Sequence, residues 1–336
     1  MKVLLYFEGE NIIKKSGIGR ALKHQKIALK SRGIEYTTNV NDDYDILHIN
    51  TVGLNSSAMI NKARDNKKPV IYHAHSTEED FRNSFVFSNK LSPIVKTRLI
   101  SLYSQADYII TPTPYSKLLL ESYGITQKIV AISNGIDLDR FVYDAEKVKA
   151  FYKYFSLSSN DKIIISVGLY FQRKGLLDFL DIARKLPDYT FIWFGYTNPL
   201  TIPRNMQDAL NDYPDNVILP GYVKGSIIEG AYLASDIFFF PSYEETEGIV
   251  VLEALASKQN IILRDIPVFK PWLEDKRDCY MGNNNEEFID LINKILNKEV
   301  ADLSNQGYEV AKQKSLENIG SQLESIYNKV LNNENI

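Results

Sequence analysis

The chain has 336 residues, which is enough for two domains of ordinary size, and its net charge is only −3. A single cysteine, Cys279, excludes an internal disulfide framework and fits a reducing cytoplasm. A membrane-spanning helix requires a run of about 18 apolar residues, and no run in this sequence is that long. The opening stretch MKVLLYFEGEN has no long apolar core or cleavage site, so we expect no signal peptide.

The charge is unevenly distributed. Residues 1–140 carry 19 Lys and Arg against 14 Asp and Glu, a balance of +5; residues 141–336 carry 20 against 28, a balance of −8, and the two sum to −3. A positive excess this small is expected of an ordinary solvated surface. It would also suit a first half of the chain that contacts an anionic surface. Nucleic-acid binding is not expected, because the net charge is negative and aromatic residues do not alternate with a basic stripe.

Strand-like and helix-like segments alternate along the first half of the chain. The predicted strands are KVLLYF, DILHIN, PVIYHAH, DYIITPT and IVAISNGID. The predicted helices are GRALKHQKIALKSRG, SAMINKARDNKK, a long stretch that ends near Tyr103, and PYSKLLLESYG, whose Pro and Gly mark its two ends.

The alternation starts again after the charged stretch YDAEKVKAFYKYFSLSSND. The predicted strands are KIIISVG, TFIWFG, NVILPG, DIFFFP and NIILRD; the predicted helices are KGLLDFLDIARKL, SIIEGAYLAS and GIVVLEALAS, and the chain is mostly helical from Asn284. This alternation indicates an α/β fold with parallel sheets and helices on both faces. We predict one domain at 1–150, completed by a C-terminal helix at 316–336, and a second at 151–315. Ligands would then bind outside the carboxyl ends of the strands, in a cleft between the domains.

Two adjacent cations, Arg173 and Lys174, follow a predicted strand in SVGLYFQRKG and precede a predicted helix. At the carboxyl end of a strand they could neutralise a phosphate or a diphosphate. An ordinary basic helix start is the alternative, but cations at a helix amino terminus oppose the helix dipole, so stability alone does not favour them there.

Acidic residues surround the next such turn, in PSYEETEGIVVLEALAS. Glu244, Glu245 and Glu247 precede a helix that begins at Gly248, and simple helix capping would explain them. Capping does not explain Glu253, which lies inside the apolar helix and needs a partner such as the vicinal hydroxyls of a sugar. Free backbone N–H groups at the helix start could bind a phosphate.

Gly17 and Gly19 open the first predicted helix in KKSGIGRALK. The pattern fails as a dinucleotide fingerprint, because Leu22 occupies the third glycine position and about ten residues separate the glycines from the strand end at Phe7. A glycine that lets the backbone approach a ligand remains plausible.

The four histidines are His24, His48, His73 and His75. His73 and His75 alternate by two and would share one face of a strand. No third ligand stands at a recognisable metal-site spacing, so we expect no metal. A histidine that hydrogen-bonds a substrate is the preferred interpretation for His75, and a satisfied core histidine is equally compatible with His73.

Residues 81–103, FRNSFVFSNKLSPIVKTRLISLY, combine apolar side chains with four cations and no acid. Apolar residues with cations are typical of a segment that lies at a membrane surface. A core helix with a basic solvent face is the alternative.

These pieces together resemble the retaining glycosyltransferases of the GT-B type in family 4. Glu245 and Glu253 have the family's spacing of seven intervening residues; GLYFQRKG resembles its diphosphate-binding segment, KSGIGR its first glycine loop and AISNGIDLDRF its domain junction. Within the family, SGIGRA, HAHSTEEDFRNSF, TPTPYSK and NGIDLDRF resemble bacterial glycolipid synthases that add a second hexose to monoglucosyl-diacylglycerol.

The resemblance implies a GT-B fold of two Rossmann-like domains and a UDP-hexose donor, either UDP-galactose or UDP-glucose, with no metal. It implies that Glu253 holds the ribose hydroxyls, Glu245 contacts the donor hexose, and Arg173 and Lys174 hold the diphosphate. The remaining residues with implied roles are Gly248, Ile249 and Val250, which offer backbone N–H groups, Gly17, which approaches the phosphate, and His75, which contacts the donor sugar or places the acceptor.

Two departures from the family pattern stand out. Leu169 occupies the position after VG where the family has Arg, so Arg173 could supply that charge. Thr246, Glu247 and Gly248 replace the family's Gly-Phe-Gly after the first glutamate, which leaves the hexose contacts of this turn open.

A lipid acceptor implies an enzyme bound peripherally to the anionic inner face of the cell membrane. Three other functions remain open: a family 4 enzyme with a soluble or polysaccharide acceptor, a nicotinamide-dependent oxidoreductase, which the broken glycine fingerprint disfavours, and a non-catalytic module that binds nucleotide sugars.

Overall fold

Two six-stranded parallel sheets form the framework of the protein, in a computed structural model that describes residues 1–9 and 17–332. The chain divides into two compact units. The first unit comprises Met1–Phe81, Lys90–Asp137 and Lys314–Ile336, and the second comprises Arg82–Asn89 and Leu138–Gln313.

The sheet of the first unit has the strand order β2-β1-β3-β4-β5-β6. Its strands are β1 (Lys2–Tyr6), β2 (Glu35–Thr37), β3 (Ile46–Ile49), β4 (Val70–His73), β5 (Tyr108–Thr111) and β6 (Lys128–Ala131). Every residue of β3 and β4 is buried. Their apolar runs suit strands that are covered on both faces of a parallel sheet.

Helices cover this sheet. They are α1 (Gly17–Ser31), α2 (Ser56–Asp65), α3 (Glu78–Phe81), α4 (Ser88–Tyr103) and α5 (Pro114–Ser122), and α13 (Leu316–Leu331) comes from the end of the chain. Helix α13 packs closely on α1. The approach is so close that a Cβ at Gly320 would lie only 2.4 Å from the carbonyl oxygen of Ala28, so this position suits glycine. The C-terminal helix thus lies in the core of the first unit.

The sheet of the second unit has the strand order β12-β11-β10-β7-β8-β9. Its strands are β7 (Ile163–Val167), β8 (Thr190–Phe194), β9 (Val217–Gly221), β10 (Ile237–Phe240), β11 (Asn260–Arg264) and β12 (Tyr280–Gly282). Its helices are α6 (Ala145–Phe155), α7 (Leu176–Lys185), α8 (Arg204–Asn211), α9 (Ser226–Ala234), α10 (Ile249–Ala256), α11 (Asn285–Leu296) and α12 (Ser304–Gln313). The predicted α/β class with two parallel sheets is confirmed.

The boundary between the units lies between Asp137 and Leu138, earlier than the residue 150 expected from the sequence. The charged stretch that the sequence analysis took as the join between the domains forms helix α6, which belongs to the second unit. There α6 crosses α9 so closely that a Cβ at Gly230 would lie 2.1 Å from the Lys147 carbonyl oxygen.

Residues 82–89 also belong to the second unit, although the sequence grouped them with the first domain. The ring of Phe85 packs edge-on against Phe171, with centroids 4.7 Å apart. The backbone N–H of Val86 donates to the Thr201 carbonyl oxygen at 2.9 Å. The long helix that was predicted to end near Tyr103 spans Ser88–Tyr103. Within residues 1–9 and 17–332, no helix is long and apolar enough to cross a membrane.

Candidate active site

The candidate site of the second unit lies at the carboxyl edge of its sheet. Strands β7 and β10 are hydrogen-bonded neighbours, so the turns that follow them lie side by side. The first turn ends in a 3-10 helix, Gln172–Lys174, and the second runs from Pro241 to Gly248, the residue before α10. Both clusters predicted from the sequence thus meet at one sheet edge.

Lys174 and Glu245 form an ion pair across these two turns. Lys174 Nζ donates to Glu245 Oε1, and Ser242 Oγ donates to the same oxygen at 2.7 Å. Both charged side chains are largely shielded from solvent, which strengthens their attraction relative to a surface pair. An ammonium group has three donors, so Lys174 can keep this contact and also bind an anionic ligand.

Arg173 is buried and helps to hold the second turn in place. Its Nε donates to Ser84 Oγ at 2.9 Å, and its Nη1 donates to the Glu244 carbonyl oxygen at 3.2 Å. Its own carbonyl oxygen accepts from Tyr243 N at 2.7 Å. The structure therefore gives Arg173 a role in supporting the loop, and its predicted role at a diphosphate stays a prediction.

The amino terminus of α10 follows Gly248, whose φ of +84° lies in the left-handed region. Gly248 has no side chain with which to cap the first turn, whose backbone includes the N–H groups of Ile249 and Val250. Such N–H groups, together with the helix dipole, favour an anion. The predicted roles of these three residues agree with this geometry but are not tested by it.

Glu253 is only 1% exposed, and its carboxylate has protein partners that the sequence did not reveal. The Tyr232 hydroxyl donates to Oε2 at 2.9 Å, and Arg140 Nη1 lies 3.8 Å from Oε1. A buried carboxylate requires such partners. Tyr232 is 21 positions away and Arg140 is more than a hundred, so no local spacing could have identified them.

Glycines let the strand ends approach one another closely. A Cβ at Gly195, where φ is +140°, would lie 1.9 Å from the Gly168 carbonyl oxygen. A Cβ at Gly175, where φ is +77°, would lie 2.4 Å from the Pro241 carbonyl oxygen. Leu169 packs against the core beside these contacts and offers no charge to the edge.

Arg264, at the end of β11, anchors the loop that carries Glu245. Its Nε donates to the Pro241 carbonyl oxygen at 2.9 Å and its Nη1 to the Asn283 carbonyl oxygen at 2.7 Å. Its guanidinium lies 3.8 Å from the centre of the Tyr243 ring. The planar guanidinium makes these contacts simultaneously, which an ammonium group cannot do.

Replacing Arg264 with lysine should therefore loosen the Glu245 loop. We expect the free energy of unfolding to fall by about 1–3 kcal/mol, because buried carbonyl oxygens lose their donors, and turnover to fall by roughly tenfold. Urea denaturation and initial rates measure the two effects. Arg184→Lys, on the exposed end of α7, is the matched control; an Arg264→Lys enzyme indistinguishable from it would contradict the anchoring role.

Three histidine rings stack at the carboxyl ends of β3 and β4 in the first unit. The His73 and His75 centroids are 4.0 Å apart, and the His48 and His73 centroids are 5.4 Å apart. His75 Nε2 lies 3.1 Å from Asn50 Oδ1, and His48 Nδ1 lies 2.7 Å from the Tyr327 hydroxyl. Neither ring nitrogen of His73 has a hydrogen-bond partner among the described residues.

Burial keeps these three histidines neutral. Loss of solvation lowers the pKa of His48 to about 3 and that of His75 to about 3. The pKa of His73 is lowered well below its usual value by the same loss of solvation and by its two histidine neighbours. A neutral imidazole can donate one hydrogen bond and accept another, as binding a sugar hydroxyl requires.

The stack also predicts a pH dependence of stability. The unfolded histidines bind protons below about pH 6.5 and the folded ones do not, so acid favours unfolding. As the pH falls from 6.5 to 5, the free energy of unfolding should decrease with a slope that approaches about 1.4 kcal/mol per pH unit for each histidine. Urea denaturation at several pH values measures it; His73→Phe, which preserves a stacked ring, should reduce the slope by roughly a third. A flat profile between pH 7 and 5 would refute this prediction.

Gly17 is the first residue of α1, as expected. A Cβ at Gly17 would meet no described atom within 4 Å. The preceding part of the glycine loop, residues 14–16, lies outside the described residues. No group of three His, Cys, Asp or Glu side chains in the described part of the chain is arranged to hold a metal ion.

Both halves of the chain match models of known families. Residues 17–140 match the model "Glycosyltransferase Family 4", and residues 150–314 match "Glycosyl transferases group 1". The two family matches and the two-sheet fold thus define a GT-B glycosyltransferase. The chain belongs to glycosyltransferase family 4, as the sequence resemblance implied.

Two relatives extend over both halves of the chain. A processive diacylglycerol α-glucosyltransferase from Acholeplasma laidlawii is 48% identical over 98% of this chain and 99% of its own length. An α-galactosylglucosyldiacylglycerol synthase from Streptococcus pneumoniae is 28% identical over 76% of this chain and 67% of its own length.

Solved structures share the fold at low sequence identity. HepE from Anabaena, crystallised with UDP-glucose, aligns with a TM-score of 0.80 at 15% identity, covering 98% of this chain and 100% of its own. Sucrose-phosphate synthase from Thermosynechococcus elongatus aligns with a TM-score of 0.78 at 15% identity, covering 99% and 100%. At such identity the likeness supports the fold and nothing further.

Proposed function

We propose that the protein is a retaining hexosyltransferase that moves glucose from UDP-glucose to monoglucosyl-diacylglycerol and forms an α-linked dihexosyl lipid. One observation carries the proposal: the 48% identity to a diacylglycerol α-glucosyltransferase extends over nearly the full length of both chains. The match includes the first unit as well as the second, so it supports the acceptor class and not only the use of a nucleotide sugar.

The proposal favours glucose over galactose, a choice that the sequence alone left open. The 48% identical relative is named a glucosyltransferase, whereas the relative named for a galactosyl lipid is 28% identical. Galactose and glucose differ at one hydroxyl, so UDP-galactose is the competing donor that the experiment must include.

In the proposed reaction, the bond between the anomeric carbon and the diphosphate oxygen breaks as the acceptor oxygen bonds to the same face of the sugar. The acceptor's proton passes to an oxygen of the leaving phosphate. Lys174 and the start of α10 would stabilise the negative charge that develops there, and in this scheme no metal would be required. Glu245, fixed by Ser242 and Lys174, would accept hydrogen bonds from the hexose, and Glu253 would accept them from the ribose.

His75 would hydrogen-bond a sugar hydroxyl in this scheme. Its imidazole is neutral and is oriented by Asn50 and by stacking on His73. The ring can therefore act as donor or acceptor without a change of charge.

A diacylglycerol acceptor requires contact with a membrane, and the stretch from Arg82 to Ile94 carries exposed apolar side chains and cations in each unit that suit such contact. Phe85, Val86 and Phe87 are exposed in the second unit, and Leu91 and Ile94 are exposed on α4 in the first. Arg82 and Lys90 are exposed in the same stretch. Apolar side chains with cations suit the interface of an anionic bilayer.

Replacing the two most exposed apolar residues of this stretch should weaken membrane binding. Phe87 is 66% exposed and Ile94 is 68% exposed. We expect Phe87→Ser with Ile94→Ser to lower the partition coefficient on liposomes containing phosphatidylglycerol by roughly tenfold or more. Co-sedimentation at increasing salt measures the coefficient.

Leu118, 65% exposed on α5, provides the matched control as Leu118→Ser, which should bind like the unchanged protein. Unchanged binding of the double variant, or equal binding to neutral liposomes, would remove the stretch from Arg82 to Ile94 from the proposal.

The proposed function is tested by incubating the protein with liposomes that contain monoglucosyl-diacylglycerol and either UDP-glucose or UDP-galactose. Chromatography and mass spectrometry of the lipids should show a dihexosyl product with UDP-glucose, and NMR should show an α linkage. Product with UDP-galactose alone would overturn the donor choice. No lipid product with either donor, together with transfer to a soluble or polysaccharide acceptor, would overturn the lipid acceptor.

A further inference from the structure

The buried carboxylate of Glu253 belongs to a cluster of four charged side chains in the second unit. Arg140, in the 3-10 turn Leu138–Phe141, donates from Nε and Nη2 to Glu229 Oε1 at 3.2 and 3.0 Å. Its Nη1 lies 3.8 Å from Glu253 Oε1, and Lys147 Nζ lies 3.1 Å from Glu229 Oε2. The cluster, hereafter the Arg140 cluster, therefore balances two cations with two anions.

Tyr232 orients the other oxygen of the same carboxylate. Its hydroxyl donates to Glu253 Oε2 at 2.9 Å. Its ring is almost fully buried and packs edge-on against Phe141, with centroids 5.5 Å apart, and in parallel with Phe238, at 5.7 Å. Tyr232 follows Glu229 by three residues on α9, so one face of this helix presents both side chains.

The two oxygens of Glu253 are thus fixed from different sides. A carboxylate in this buried position needs hydrogen-bond donors or a cation in place of the water that it has lost. Arg140 supplies the positive charge and Tyr232 supplies a donor of defined direction. Arg140 is itself held rigidly, because it makes two hydrogen bonds to Glu229 and Lys147 shares that partner.

We infer that Arg140 and Tyr232 are positioning residues that fix the orientation of the Glu253 carboxylate and aim it at the ribose hydroxyls of the nucleotide. The inference rests on the proposed use of a UDP-sugar. The inference assigns a role to Arg140 of the motif NGIDLDRF, a residue to which the proposed reaction gives no other role. Neither residue touches the reacting atoms, so both act through Glu253.

Loss of either residue should weaken nucleotide binding more than it slows the chemical step. The ribose is remote from the bond that breaks, so its contacts are equally strong in the substrate complex and in the transition state. KM for the UDP-sugar should therefore rise by roughly tenfold in Arg140→Gln, with kcat within roughly threefold of the unchanged enzyme.

Calorimetric titration with UDP and with 2′-deoxy-UDP separates this role from a merely structural one. The unchanged protein should bind UDP roughly tenfold tighter, because 2′-deoxy-UDP lacks one hydrogen bond to a charged group. Arg140→Gln and Tyr232→Phe should bind the two nucleotides within roughly twofold of each other. General damage to the fold would weaken both ligands alike and leave the ratio unchanged.

Three further proteins complete the experiment. Tyr232→Phe keeps the buried ring, so it decides the question if Arg140→Gln does not fold. Arg140→Lys retains a cation and should recover part of the preference for UDP. Arg204→Gln, on an exposed ion pair of α8, should keep the full preference.

The outcomes are distinguishable. Variants that keep the tenfold preference for UDP would overturn the inference and leave the proposed function standing. An unchanged protein that binds no UDP would overturn the proposed function itself. If the unsubstituted protein binds UDP and 2′-deoxy-UDP with equal affinity, the ribose does not contact Glu253 and the inference is wrong.

Discussion

Lys174→Ala should lower turnover by roughly 100- to 1,000-fold while the protein stays folded. Lys174 is the cation at the carboxyl edge of β7 that pairs with Glu245, and in the proposed reaction it stabilises the departing diphosphate. That charge develops mainly in the transition state, so the loss should appear in kcat as well as in kcat/KM. Initial rates with monoglucosyl-diacylglycerol liposomes measure the effect.

Lys185→Ala, on the exposed end of α7, is the matched control and should turn over normally. Circular dichroism and urea denaturation establish that both variants are folded. Removing Lys174 also leaves Glu245 in its buried position without its cation, so a loss of stability of up to about 3–5 kcal/mol is expected. Near-normal turnover of Lys174→Ala would show that the diphosphate is stabilised elsewhere.

Glu253→Ala should abolish useful affinity for the donor. Two ribose hydroxyls would each lose a hydrogen bond to a charged acceptor, so we expect KM for UDP-glucose to rise by roughly 100-fold or more. The variant should also lose about 1–3 kcal/mol of stability, because the buried hydroxyl of Tyr232 loses its acceptor. Rates over a wide range of donor concentration and urea denaturation measure the two effects.

Glu309→Ala provides the control, since Glu309 lies exposed on α12 and pairs only weakly with Lys312. If Glu253→Ala keeps the donor KM of this control, Glu253 does not bind the ribose. In that case the carboxylate has only the structural role that its contacts with Tyr232 and Arg140 provide.

Most helices and strands could be predicted from the sequence, because their buried residues form periodic or continuous apolar patterns. β4 and β10 are buried at every residue, and both appear in the sequence as apolar runs. β2 and β12 have only three residues each, and α8 is short and polar, so their signals were too weak to detect.

The candidate site was predictable only as far as it is local in sequence. Lys174 and Glu245 each follow a strand, and parallel strands bring such positions to one edge. Arg140, Tyr232 and Arg264 reach the site from distant parts of the chain, and single side chains of that kind leave no pattern. Tertiary packing alone reveals them.

The path of the chain through the two units has a consequence for the order in which they can be completed during synthesis. The core of the first unit includes Leu316, Leu323 and Tyr327 of α13, the last helix described. His48 also depends on that helix, through its contact with the Tyr327 hydroxyl. A ribosome delivers α13 only after all of Leu138–Gln313, so the second unit can fold on a nascent chain while the first still exposes apolar surface. The first unit is therefore completed after the second, and until then it is the part that aggregation and proteolysis threaten most.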